Sequence, residues 1–294
     1  MPKHAGLHPI LKKYELFKKQ FKQCALSKDT TDSLQDLYVE AHSYLSPLTI
    51  KALKSDNPNK EYFAFQRNGG QKLSRAINKN LYIDDLTLIL NFFDGLRNHQ
   101  ITVRQNAEEI TKACYTIAIT VCGSIDILKD SDQKTPGTFF EYFIGHLFAI
   151  QFKIAPKKQV DVLNLDMRAT LPTDFIFDLG DNCPKFHVPV KTSTRERVVQ
   201  AWAHQRVLDG VYGTGRFLGL LSCLSETKLN LKTNVVTEIC LPDQWRIYQL
   251  FISQFKRVYY LDMPQKYKEL NNIFPRIYVK PLGEFFFEAN SLSL

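Results

Sequence analysis

Two residues at the ends of consecutive apolar runs could cut a phosphodiester. Asp174 opens the run that continues Phe175-Ile176-Phe177, and Lys191 closes the next, His187-Val188-Pro189-Val190-Lys191. Short apolar runs bounded by turn residues read as strands, and consecutive strands of a hairpin bring such ends side by side. A carboxylate there can fix a divalent metal that polarises a phosphate, while the lysine orients the attacking water or helps to deprotonate it. The metal also neutralises charge that builds on the phosphoryl oxygens. Asp and Lys are equally at home at solvated strand ends, so the pair gains meaning only from its surroundings.

The residues directly after Lys191 supply that context. Thr192-Ser193-Thr194-Arg195-Glu196-Arg197 opens a helical pattern with three consecutive charged residues. Arginine matches guanine O6 and N7 in the major groove, and glutamate can accept from cytosine N4. A purely local reading also exists. Ser193 and Glu196 fit a capping box, in which each side chain serves a backbone donor at a helix start. That reading leaves both arginines without a role.

The elements that must position these residues divide into two stretches. To about residue 130 the pattern is helical: Leu11, Tyr14, Phe17 and Phe21 recur at helical spacing, as do Leu34, Leu37, Tyr38 and Ala41, and a long pattern runs from Val103 to Leu128. Between them Ser55 to Gly70 reads as a loop rich in Asn, Pro, Lys and Gly. Its aromatics Tyr62, Phe63 and Phe65 suit a small satellite core or a surface on which a displaced base could stack. From Thr135 the order changes to a helix over Phe139 to Ile150, strands near 160–163, 175–177 and 187–190, a helix over 194–208 and strands over 217–223 and 234–241. A helix over 242–257 and a strand over 277–279 complete it. This order predicts an α/β fold, a mixed sheet flanked by helices with a crossover helix. The expected organisation is a helical N-terminal subdomain over 1–130, contacting DNA or a second copy, and a catalytic core over 131–294.

These residues resemble the PD-(D/E)xK type II restriction endonucleases, and within them the group that recognises CCGG, CCNGG or CCWGG sites. Pro172-Thr173-Asp174 is similar to the PD element and Pro189 stands in the D/E slot, which that group leaves without an acid. Lys191 followed by Arg195-Glu196-Arg197 is similar to its lysine and base-reading triplet, and Glu141 to its upstream glutamate. The likeness spans residues 135 to 210. It implies Mg²⁺ as cofactor, double-stranded DNA as substrate and, since a palindromic site presents two equivalent strands, a homodimer. It implies that Asp174 holds metal, Lys191 positions water, and Arg195, Glu196 and Arg197 read C:G pairs. The chain departs from the group where a carboxylate on the following helix should complete the metal site. Thirteen and fourteen residues past Lys191 stand His204 and Gln205. Either one of these serves, or Glu141 supplies the second carboxylate, or the helix aligns differently. The expected arrangement has Asp174 and Glu141 on the metal, with His204 or Gln205 holding metal-bound water.

Composition agrees with a polyanionic partner without requiring one. Lys and Arg number 38 against 30 Asp and Glu, a formal charge of +8 over 294 residues, which favours encounter with nucleic acid. Six cysteines without a CxxC pair point to reduced thiols, not a disulfide frame or a zinc site. The apolar runs are too short for a membrane span, and the start of the chain has no signal-peptide core, so a cytoplasmic protein without a membrane partner is expected. His146 and His187 read as structural histidines, Gly210, Gly213 and Gly215 as a turn, and Gln133 and Lys134 as a polar loop that could reach a central base pair. Two rival functions remain: a sequence-specific DNA-binding protein that has lost metal binding, and a structure-selective nuclease of the resolvase kind.

Overall fold

The computed structural model describes residues 7–67, 69–129, 132, 134–164, 167–180 and 183–292. The chain opens with two antiparallel helices, α1 (Pro9–Gln23) and α2 (Lys28–Leu45). Pro9 starts the first, where its missing N–H costs nothing, and Ser27 caps the second by accepting from the Thr30 N–H at 3.2 Å. Three strands come next, β1 (Thr49–Ser55), β2 (Tyr62–Gln66) and β3 (Ile77–Asn78). The segment that reads as a loop is therefore largely a hairpin. Its turn, Asp56 to Glu61, carries the Asn and Pro that dominate the composition, while the short flanking strands leave little periodic signal. Tyr62, Phe63 and Phe65 lie buried in it.

Helices α3 (Leu86–Arg97), the short α4 (Ile101–Arg104), α5 (Ala107–Leu128) and α6 (Lys134–Phe152) continue the chain. Asn106 and Glu109 form a capping box at the start of α5. This helix is apolar and long enough to cross a membrane, yet it is buried within the protein, packed by α2, α3, α6 and the C-terminal helix. It is the centre of the larger core.

The rest of the chain builds the sheet that carries the site. Strands β4 (Lys157–Asn164), β5 (Met167–Phe177), β6 (Lys185–Val188) and β7 (Val190–Lys191) precede a 3₁₀ turn, Arg195–Arg197, and α7 (Val198–Tyr212). Then come β8 (Phe217–Cys223), β9 (Thr227–Asn230), β10 (Val235–Glu238), α8 (Pro242–Phe251), β11 (Phe255–Tyr260), α9 (Gln265–Lys268), β12 (Val279–Pro281) and α10 (Gly283–Leu292). The helix expected over 242–257 thus stops at Phe251, and a buried strand begins at Phe255. The main sheet runs β12-β11-β8-β6-β5-β4, with β7 also paired to β8. It is antiparallel from β4 to β6 and parallel from β6 to β12. Alternation divides its residues between two layers. Phe175, Phe177, Leu220 and Tyr259 join the core under α5, α6 and α10, whereas Leu221, Val258 and Tyr260 join a second core with Trp202 of α7 and Trp245 of α8.

A second sheet, β3-β2-β1-β10-β9, draws strands from both halves of the chain. Lys60 ties it to the main sheet through Asp262 and Glu238, both at 2.6 Å. Asn78 adds a hydrogen bond to Asp262 at 3.1 Å.

Candidate active site

Asp174 and Lys191 meet. Phe175 pairs with Val188 across the β5–β6 ladder, which sets Asp174 opposite Pro189. Proline has no N–H to give, and the chain steps there from β6 to β7. The next amide, Val190 N–H, donates to the Asp174 carboxylate at 2.8 Å, and Lys191 Nζ donates to the same oxygen, Oδ2, also at 2.8 Å. Pairing of Lys191 with Cys223 on β8 holds the lysine backbone in register. Both side chains are about a fifth exposed. That leaves them reachable by substrate while screening their attraction less than water would.

Glu141 joins them from the opposite layer. Helix α6 approaches β5 closely at Gly145, one turn on from Glu141, where a Cβ would stand 2.6 Å from the Phe175 ring. The Glu141 carboxyl is pushed above its usual range by burial, and next by the charge on Asp174, while Lys158 and Lys191 pull it down. Lys158 on β4 lies 4.6 Å over the Tyr142 ring and 4.9 Å over Phe175. That partial burial lowers its pKa, and Glu141 and Asp174 oppose the shift. Nothing in the sequence distinguishes Lys158 from its neighbour Lys157. Only the strand register turns it towards the carboxylates.

On the α7 side a cavity of about 240 Å³ is walled by Thr173, Asp174, His187, Lys191, Gln200 and His204, among others. His204 therefore faces the centre, its pKa lowered by burial and by Lys191 and raised by Asp174. Gln205 does not. Its amide donates to Asp209 Oδ1 at 3.0 Å and to the Phe217 carbonyl at 2.8 Å, so its own oxygen turns to His187 Nδ1 at 3.0 Å. Of the two residues expected to hold metal-bound water, only His204 lines this cavity, because one step along a helix turns a side chain by about 100°. Gly219, beside His187 in the ladder, makes this packing possible, since a Cβ there would meet the Gln205 oxygen at 2.9 Å.

That network has a chemical consequence. With both Gln205 donors engaged, only its oxygen can face His187, so Nδ1 carries the proton and Nε2 is a bare acceptor. Burial brings the His187 pKa down to about 4, keeping the ring neutral. Its Nε2 and the hydroxyl of Thr173 are buried without a hydrogen-bond partner among the described residues, and both residues line the cavity. His146, by contrast, is wholly structural, bonded to Thr31 and to the Ala25 carbonyl.

Among the described residues no three of His, Cys, Asp and Glu lie close enough to hold an ion unaided. Mg²⁺ does not need them to. It uses one or two carboxylates and takes its remaining oxygens from water and phosphate. Asp174 and Glu141 are two such carboxylates: burial first, and then the charge on Asp174, raise the Glu141 pKa, and a divalent cation held by them would oppose both.

The loop after Lys191 projects Arg195 and Arg197 into solvent. They line a groove of about 530 Å³ together with Arg75, Lys228 and the backbone from Thr192 to Thr194. Glu196 lies in the 3₁₀ turn, and its side chain is outside the described residues, as is Gln133. The capping-box reading needs the Glu196 side chain and so lies outside the described residues; the Ser193 hydroxyl itself donates to Glu226 at 3.0 Å. Glu226 is a residue that local sequence reading cannot find. Gly213 and Gly215 hold positive φ in a turn, as expected, but Gly210, expected in the same turn, lies in the last turns of α7.

No family model matches the chain, and no curated protein matches it. Among solved structures it is similar to the type IIP restriction endonuclease Kpn2I, with a TM-score of 0.79 and 25% identity over 96% of each chain. A restriction endonuclease PspGI–substrate DNA complex matches at a TM-score of 0.42 and 14% identity, over 70% of this chain and 91% of that one, a likeness that supports no inference. The chain has the fold of a type II restriction endonuclease.

Proposed function

We propose that this protein is a Mg²⁺-dependent type II restriction endonuclease, hydrolysing duplex DNA as a homodimer at a short palindromic site containing CCGG or CC(N)GG. The carrying observation is the Asp174 carboxylate oxygen that takes both the Lys191 ammonium and the Val190 N–H. It sits beside a loop presenting Arg195 and Arg197, in a fold shared end to end with a type IIP restriction endonuclease.

In this reading Asp174 and Glu141 hold the metal, which supplies Lewis-acid polarisation of the scissile phosphate and an acidified water. Lys191, fixed by Asp174, orients the attacking water and balances charge on the phosphate. Lys158 faces the DNA backbone from β4. The neutral His187 offers Nε2 as an acceptor at the cavity wall, and His204 borders the same space. Arg195, Glu196 and Arg197 read the C:G pairs in the major groove.

Plasmid cleavage with and without Mg²⁺, followed by sequencing of the fragment ends, tests this reading. Discrete fragments sharing one palindrome are expected. Specific binding without cleavage would point to an inactive DNA-binding protein, and cutting confined to branched DNA to a structure-selective nuclease. Either result overturns the proposal.

A further inference from the structure

Glu226 is buried at 1% exposure, in the turn between β8 and β9. Five donors converge on its carboxylate. Oε1 accepts from the Thr194 N–H at 2.8 Å, the Thr194 hydroxyl at 2.5 Å and the Tyr260 hydroxyl at 2.8 Å. Oε2 accepts from the Ser193 hydroxyl at 3.0 Å and the Arg195 N–H at 3.4 Å. Three consecutive residues of the arginine loop therefore hang on one side chain. Arg195 also holds a φ of 39°, a left-handed conformation that a non-glycine residue keeps only when its surroundings impose it. Among the described residues the 3₁₀ turn has no cap hydrogen bond from the Thr194 side chain.

Burial pushes the Glu226 pKa up, and its bonds to Thr194, Tyr260 and Ser193 oppose that. Two of the five partners, the Thr194 and Arg195 N–H groups, can only donate, and the three hydroxyls can donate as well, so an ionised carboxylate satisfies all five at once. The anchor reaches the second core through Tyr260 on β11, whose ring packs with Trp245 and Tyr267. At 1% exposure Glu226 is too deeply buried to contact DNA directly.

We infer that Glu226 is the positioning residue for base reading: its carboxylate sets the register of Arg195 and Arg197 against the DNA. The inference rests on the reading of that loop as the base-reading element. A structural residue of ordinary kind would affect stability and all DNA binding alike. A positioning residue affects the difference between right and wrong DNA.

Glu226→Gln keeps the volume and one oxygen but turns the other into a donor aimed at Ser193 and Arg195 N–H. Binding would be measured in Ca²⁺ on three duplexes identical except for a central CCGG, CCTGG or CTAG. Wild-type protein should prefer one of the first two over CTAG. Glu226→Gln should lower that preference by about tenfold, the effect of losing a bond or two to a charged group, while affinity for CTAG stays within about twofold. Thr194→Val removes one donor from the same carboxylate and should lower the preference in the same sense but less; it carries the test if Glu226→Gln does not fold. A full wild-type preference in the folded variants overturns the role of Glu226. Equal loss on all three duplexes overturns it too, because that is the signature of general damage. If wild-type protein itself shows no preference while Kd is measurable, the reading of the arginine loop fails first and the inference with it.

Discussion

Glu141 and Glu226 are both carboxylates whose pKa burial pushes up, and their surroundings differ in kind. Glu226 is saturated: five donors from Ser193, Thr194, Arg195 and Tyr260 meet its two oxygens. Among the described residues Glu141 has no such shell. Its neighbours are a second carboxylate, Asp174, and the ammonium groups of Lys158 and Lys191, which act on it through charge. The cavity beside Asp174 adds Thr173 Oγ1 and His187 Nε2, buried with no partner among the described residues. A polar group left short inside a protein costs on the order of 1–3 kcal/mol. Glu226 serves as scaffold, and in the proposed reading the edge formed by Glu141, Asp174 and Lys191 is where metal and DNA bind.

The largest effect that could break this contrast lies at the pair itself. Asp174→Ala should abolish single-turnover cleavage, and Lys191→Ala should slow it by about 10²–10⁴-fold, the usual range for a positioned proton-transfer group, while binding to the cognate duplex survives. A Lys191→Ala protein cutting at the wild-type rate would remove the site from this edge of the sheet.

Glu141 gives the next test, with two readouts of opposite sign. Glu141→Gln should nearly abolish cleavage across a Mg²⁺ titration. Because its charge is disfavoured in the folded state, the same change should leave the thermal midpoint equal to or above that of wild type. The sign comes from linkage: a carboxylate whose folded pKa is raised binds protons more readily when folded, so its ionised form at neutral pH opposes folding. The pKa of Glu226 is raised too, so the same relief of charge applies there, but Glu226→Gln should still lower the midpoint because its amide leaves donors facing a donor and those lost bonds outweigh the relief. Matching signs for the two glutamates would erase the distinction drawn between them.

His204→Ala, by contrast, should cost about 10- to 100-fold in rate or apparent Mg²⁺ affinity, as is usual for a residue acting through bound water. If His204→Ala is dead while Glu141→Gln cuts normally, the α7 position is the true ligand and Glu141 is packing. Smaller again, Arg195→Ala or Arg197→Ala should each lose about 1–3 kcal/mol of discrimination at one base pair, read as the ratio of cognate to single-mismatch affinity. Least of all, Lys158→Ala should weaken cognate and random DNA alike. It should also flatten the dependence of log K on log salt by about 0.9, the share of a single phosphate contact. A change in specificity there would mean that Lys158 touches a base edge.

Much of the proposed catalytic edge is legible in the amino-acid sequence alone, because its signals are local. Asp174 and Lys191 mark the ends of apolar runs, and the ladder pairing Phe175 with Val188 brings those ends together. The arginine loop comes directly after, and Glu141 sits on a helix whose pattern is plain. The features that stay hidden depend on side-chain direction or on distant partners. His204 and Gln205 are equivalent on a sequence ruler, yet one faces Asp174 and the other His187. Glu226 lies more than thirty residues beyond the loop it holds, in a turn with no motif of its own. The same limit explains the hairpin of β1 and β2, where turn residues outvote short strands. It also explains β11, whose residues continue the apolar spacing of α8 and give no mark where the helix stops.

The anchoring of the arginine loop also sets an order of assembly. During synthesis the chain delivers Asp174 and Lys191 first, and β8, which fixes Lys191 by pairing with Cys223, soon after. Glu226 emerges next, and Tyr260, which closes the carboxylate from the far side, comes 34 residues later still. Contacts that span so much chain form late, because the entropy of closing the loop must be met before they contribute. The Asp174–Lys191 contact thus closes only 17 residues of chain, whereas the anchor of the arginine loop is complete only when Tyr260 of β11 joins Glu226.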